Sequence, residues 1–396
     1  MNQKKKKTIE KIFILLLILF NIYSFSGEHW EAGFLSWCSK GDYPKIKTAI
    51  ARGINVNHRD KNNCTPLMYA VTSNKVDVVK ILIENGAEVD ARDKANWTPL
   101  IYAIRHSNNP EIIKILLENG AKINSVDKDK LTPLMIAASE NQNPEIITIL
   151  IKNGAQVEAR NKNQVTALML AAAHNNSQIV SALLKGNANV QAKDKTGASP
   201  LMFAAYNSNL NVISTLLYNG AKINTEDNKG FTPLMYATSG SNNPEVIKTL
   251  LNNGANINAK DKSGITALTW AAKYSINPVI IATLLEKGAK IDSRSNNEAT
   301  ALMYAASGNS NPEIIEIIDI LVKNGANINA TEIDGQTPLI WAARDNNQPK
   351  IIMTLLEHGA DPQTKDKFNL KAIDYASKNN NLTGTRAYSR LENISY

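Results

Sequence analysis

Apolar residues in this chain fall into two alternating kinds of block, and residues 98–124, TPLIYAIRHSNNPEIIKILLENGAKIN, contain one of each. The first opens on Thr-Pro and carries a short apolar run, LIYA. Thr can cap the free N–H groups of a helix start, and Pro fits the next position, where no N–H is needed. A helix of about two turns is predicted there, ended by an Asn-rich turn. Pro110 then reopens a second helix, as Pro144, Pro244, Pro278, Pro312 and Pro349 do elsewhere. In it Ile112, Ile113, Leu116 and Leu117 recur at the spacing that puts one apolar stripe on one helix face. Gly120, like Gly86, Gly154, Gly220, Gly254, Gly288, Gly325 and Gly359, is placed to take the left-handed conformation that ends a helix. A polar finger of the D-K-x-G kind returns the chain to the next Thr.

The same order returns in residues 232–258 (TPLMYATSGSNNPEVIKTLLNNGANIN) and 337–363 (TPLIWAARDNNQPKIIMTLLEHGADPQ). The Thr-Pro-Leu slot falls at Thr65, Thr98, Thr132, Thr166, Ser199, Thr232, Thr266, Thr300 and Thr337, with a degraded copy at Lys371 (KAIDYA). Successive slots lie 33 or 34 residues apart, and once 37. A unit of that length is too small to bury a core alone, so neighbours must stack. The long step arises in EIIEIIDILVKNG (residues 313–325), where three extra residues predict a second helix about a turn longer, its apolar stripe running through Ile314, Ile318 and Leu321. Asp319 or Glu316 would then face solvent away from the fingers.

In these motifs the chain resembles the ankyrin repeat family, whose unit reads D-x-x-G-x-T-P-L-H-x-A, two helices, and L-L-x-x-G-A. The resemblance covers roughly residues 30–388. It implies an all-α repeat solenoid, an ankyrin-like helix-turn-helix-hairpin stack of about eleven units with two atypical caps, presenting a concave face for protein partners. Two departures stand out. The family's His after Thr-Pro-Leu is replaced by Met68, Ile101, Met135, Met169, Met202, Met235, Thr269, Met303 and Ile340, so apolar packing must stand in for its hydrogen bonds. In LLKGNAN, Asn187 occupies the expected glycine position, which Asn tolerates next best.

The ends differ from the middle, as a linear stack requires. Residues 27–57 read as an N-terminal cap, 58–362 as regular repeats, and 363–396 as a C-terminal cap that keeps a first helix and then dissolves into polar residues. Residues 1–26 look like a signal peptide: a basic start at residues 4–7, an apolar core IFILLLILF at residues 12–20, and Ser24-Phe25-Ser26 before the cut, leaving Gly27 as the mature N-terminus. The apolar run is shorter than the roughly 20 residues that span a bilayer. A secreted or periplasmic location follows, the alternative being an anchor by an uncleaved leader.

The leader changes the reading of charge. The whole chain carries +8, of which the leader's five Lys and one Glu supply +4. The rest shows no run of Lys or Arg and no basic helix face interleaved with aromatics, which argues against nucleic acid. Cys38 lies in the first cap and Cys64 at the base of the next finger. A disulfide would staple the weak end of the stack, yet the two slots differ in kind, and pairing stays open.

Catalytic motifs are missing. The five histidines, His29, His58, His106, His174 and His358, are scattered without metal spacing, and there is no phosphate loop or nucleophile motif. The D-K-S-G and D-K-T-G fingers lack the alternating carboxylates of a calcium loop. No enzyme activity, metal or cofactor is expected. What recurs is the residue after the Met slot: Tyr69, Tyr102, Ile136, Leu170, Phe203, Tyr236, Trp270, Tyr304 and Trp341. One position per unit becomes one row on the stack, rich in the types favoured at binding hot spots. The finger residues Trp97, Leu131, Phe231, Ile265 and Leu370 lie beside it. The candidate partner-binding set is therefore Tyr69, Trp97, Tyr102, Phe203, Phe231, Tyr236, Trp270, Tyr304 and Trp341, with packing between helices as the competing role for these rings. The expected function is binding a protein partner, as a monomer and without catalysis. The alternatives are a structural or protective envelope role, and a surface adhesin.

Overall fold

A computed structural model describes residues 27–174, 176–274, 277–308 and 313–395. The expected signal segment lies outside the described residues. Among those described, twenty-two helices run in pairs from Gly27–Lys40 to Arg386–Ser395, and the single β-bridge joins Lys260 to Thr266. The fold is an all-α repeat solenoid, and the eleven helix pairs correspond to the eleven units expected. No helix among the described residues is long and apolar enough to cross a membrane.

The chain groups into two compact units that meet in sequence at Lys162 and Asn163. Inside the first unit each first helix packs on its own second helix and on the next first helix, and second helices pack likewise on one another. The same rule holds by itself within the second unit. Cohesion inside each unit is thus between neighbours.

Local chemistry accounts for the helix boundaries. Thr132 has an extended backbone, and its hydroxyl accepts from the N–H of Met135 with Pro133 at the first helical position. At the second helix, Asn143 accepts from the N–H of Glu145 at 2.9 Å, with Pro144 following. The Asn of the turn is therefore a cap as well as a turn former. At the far end Gly120 takes φ 89°, the N–H of Ala121 returns to the Leu116 carbonyl at 3.0 Å, and the N–H of Gly120 reaches Leu117 at 3.0 Å. Both bonds of a Schellman ending are present. Asn187 adopts φ 65°, as expected for a stand-in. Between the caps, Leu134, Met135, Ile146, Ile147 and Leu150 of one repeat are buried, each worth about 1.5–3 kcal/mol when fully removed from water.

Three expectations are corrected. The methionines that replace the family's His are buried, but packing is not all they supply: the thioether sulfurs of Met68, Met169 and Met202 accept the N–H of Thr65, Thr166 and Ser199 at 3.4, 3.5 and 3.3 Å. The C-terminal cap does not dissolve. Its second helix, Arg386–Ser395, forms and buries Ala387 and Leu391, with Leu382 buried just before it. In the 37-residue step the second helix is Ile314–Lys323, ten residues against nine in Pro110–Glu118, and not a turn longer. Its stripe of Ile314, Ile318 and Leu321 is buried and Glu316 is exposed. Asp319 does not simply face solvent: it sits 2.7 Å from Nε2 of His358, the residue that caps the C-terminal end of the following second helix, Pro349–Glu357.

Candidate partner-binding face

Most fingers are built around a single acidic residue, with Asn161 and Ser295 standing at that position in two of them. The N–H of Asp227 donates to the carbonyl of Phe231 at 3.0 Å, which closes the turn. Asp227 Oδ1 then accepts the N–H groups of Lys229 and Phe231, both at 2.8 Å. The same double acceptance occurs at Asp60, Asp93, Asp127, Asp194, Asp261 and Asp366. In the ninth finger Glu332 does it instead, accepting from Asp334 and Gln336 at 3.0 Å.

The second oxygen of this carboxylate anchors part of the aromatic row. Tyr69 donates its hydroxyl to Asp60 Oδ2 at 2.9 Å, Tyr102 to Asp93 at 3.0 Å and Tyr236 to Asp227 at 3.0 Å. Trp270 donates Nε1–H to Asp261 Oδ2 at 3.1 Å. Tyr375 does the same to Asp366 at 2.5 Å. Acid and aromatic lie nine residues apart in every case, a spacing that spans finger and first helix. Burial and then the Asp60 bond push Tyr69 up to about 12. Burial is also the leading cause that raises Tyr102, Tyr236 and Tyr375. At Asp60 burial acts upward, but the N–H groups of Cys64 and Asn62 and the Tyr69 hydroxyl outweigh it and hold the carboxyl below its usual range.

The packing role expected for these rings is present: the polar tips of Tyr69, Tyr102, Tyr236 and Trp270 turn inward, and the rings stay half-buried. In the first unit Trp97 meets Tyr102 edge-on at 5.5 Å, and the Arg105 guanidinium lies 4.1 Å from the Trp97 ring centre. Arg105 is itself paired with Glu140 at 2.5 Å. In the second unit Phe231 lies 6.0 Å from Tyr236 and 4.9 Å from Trp270. Phe203 and Tyr304 are half-buried too. Trp341 is the departure, being only 8% exposed: it packs with Ala299, Met303 and Ala330 under Tyr304, because two of those neighbours are small. It belongs to the core more than to the face.

Sequence reasoning missed Tyr274 and Tyr206. Tyr274 is 45% exposed and stacks on Trp270 at 5.2 Å with an interplanar angle of 14°, while Lys273 Nζ lies 5.0 Å from its ring centre. Tyr206, 48% exposed, covers Gly240 so closely that a Cβ there would come within 2.2 Å of the ring. Neither position carries an aromatic in most other repeats, so periodicity gave no signal. The base aspartates did give one, the recurrent D-K, but it reads as turn chemistry until the nine-residue partner is seen.

Cys38 and Cys64 are both free and buried, which answers the pairing question with two thiols. Burial pushes Cys38 up to about 12, and Cys64 Sγ lies 3.3 Å from the Tyr102 hydroxyl. Open hollows of about 620 and 460 Å³ lie between finger arms, the larger lined by Arg59, Glu88 and Arg92, the smaller by Arg92, Lys122 and Ser125. A family model described as ankyrin repeats (3 copies) matches residues 35–127, 108–194, 186–261, 234–332 and 310–387. No curated protein matches the chain.

Proposed function

The chain belongs to the ankyrin repeat family, whose repeats mark a scaffold for protein–protein interaction, and on that premise we propose an exported, non-catalytic scaffold that binds one protein partner through its fingers and first helices. The observation that supports this reading is the half-buried aromatic row. The polar tips of Tyr69, Tyr102, Tyr236 and Trp270 are bonded internally, so a partner meets rigid ring edges that cost little entropy to fix, as in protein hot spots. Phe231, Trp270 and Tyr274 make its densest stretch, with Tyr274 open to solvent.

Crosslinking pull-down by the mature chain from its own cells tests the reading. The captured protein should be lost with Trp270→Ala combined with Tyr274→Ala, and kept with Lys80→Ala on a second helix. Equal capture by all three would contradict it. Export rests on the sequence of residues 1–26 and is checked by N-terminal sequencing of native protein, which should begin at Gly27. Intact Met1 would contradict cleavage. Recovery from periplasmic extract or from culture medium separates the two compartments.

A further inference from the structure

Three fingers of the first unit hold an acid and a base side by side in sequence, and the structure sends them opposite ways. Asp60, Asp93 and Asp127 turn inward, where two N–H groups hold Oδ1 of each, and the hydroxyls of Tyr69 and Tyr102 occupy Oδ2 of the first two. The next residues, Lys61, Lys94 and Lys128, are exposed at the tips. One backbone bond links each tip to the next, from Lys94 N to the Asn62 carbonyl at 2.9 Å and from Lys128 N to the Ala95 carbonyl at 3.3 Å, which fixes the lysines in register.

Other acids of these finger arms already have partners. Glu88 pairs with Arg59 at 2.7 Å, Asp90 with Lys122 at 3.7 Å and Asp129 with Lys162 at 3.1 Å. Among the described residues no ion pair involves Lys61, Lys94 or Lys128. Each of these three fingers is a small dipole, carboxylate inside and ammonium outside, although D-K reads as neutral in composition.

From this arrangement we infer that the fingertips of the first unit dock an acidic, extended segment of the partner protein, with Lys61, Lys94 and Lys128 as its charge contacts. The inference rests on the scaffold reading above and adds the partner's chemistry. Charge complementarity selects the acidic segment. Nucleic acid fits worse, because Trp97, the tryptophan of these fingers, is already engaged: Arg105 covers a face of it and Tyr102 meets its ring edge-on. A bilayer fits worse as well, since the tips carry Asn62, Asn63 and Asn96 in place of apolar anchors.

The test measures binding of the full chain to a labelled 20-residue peptide of alternating Glu and Gly, in low salt, beside a 20-nucleotide oligo(dT) and phosphatidylserine vesicles. Lys61→Glu, Lys94→Glu and Lys128→Glu together should weaken the peptide at least tenfold. Lys47→Glu, Lys80→Glu and Lys152→Glu, the same charge change on second helices, should weaken it less than threefold. Both triple variants replace exposed side chains, and unchanged thermal unfolding checks that they fold. Equal weakening by the two triples would overturn the inference, as would tighter, fingertip-dependent binding of the oligonucleotide or the vesicles. If the captured partner is lost with the Trp270 variant but unaffected by the fingertip triple, this inference fails while the scaffold reading stands.

Discussion

Tyr236 shows what one residue of the row does. Its hydroxyl reaches Asp227 at 3.0 Å, and the same carboxylate holds the finger turn through two N–H groups. Tyr236→Phe should therefore lower stability by about 0.5–1.5 kcal/mol in denaturant unfolding, with the ring still packed. Asp227→Ala, which orphans donors in both finger and helix, should cost more, about 2–4 kcal/mol. The pair at Tyr69 and Asp60 also fixes two pH limits. An unfolded Tyr titrates near 10, and Tyr69 is pushed up to about 12. Its contribution is complete below pH 10 and is lost as pH rises from 10 to 12. Asp60 is held below its usual range, so its contribution is present above about pH 4 and is lost as pH falls through the folded value. Melting temperatures followed from pH 8 to 12 should fall less for Tyr69→Phe than for the parent chain. At this scale the sequence showed the row but not its anchor. A once-per-repeat aromatic is visible in the string, whereas the Asp nine residues earlier has meaning only once finger and helix fold onto each other. Trp341 was legible as a row member and still went into the core, because Ala299 and Ala330 leave room beneath it.

The helices were the most legible elements, since Thr-Pro, Asn-Pro and Gly mark their ends chemically and not through hydrophobicity alone. Removing such a mark has a defined cost: Asn143→Ala should destabilise by about 1 kcal/mol through the lost bond to the Glu145 N–H. Boundaries failed where the marks are absent. The last helix, Arg386–Ser395, has no Pro, no Gly ending and a polar composition, yet Ala387 and Leu391 sit one turn apart and are buried. Leu391→Ala should cost about 2–4 kcal/mol, measured as lost amide protection over this helix. No effect would mean that the helix only frays at the end. In the long step, counting residues placed the excess in the helix, while the helix Ile314–Lys323 gained a single residue. The role of Met68 as an acceptor was hidden for another reason: a thioether is a weak acceptor that sequence reasoning counts as apolar.

At the scale of the molecule, neighbour-only packing inside each unit makes damage local. Leu216→Ala in the second unit should raise amide exchange in its own repeat and the adjoining ones, and leave the C-terminal helix of that unit at parent rates. The architecture was legible because a period of 34 residues decides it, and matches of the ankyrin repeat model from residue 35 to 387 agree. The use made of that architecture is less legible, since a repeat fold does not name its partner. The most direct test is amide exchange of the chain with and without its captured partner. The scaffold account predicts protection on the fingers and first helices, strongest around Phe231, Trp270 and Tyr274 and at the tips bearing Lys61, Lys94 and Lys128. Protection confined to second helices such as Pro244–Asn252 would contradict it.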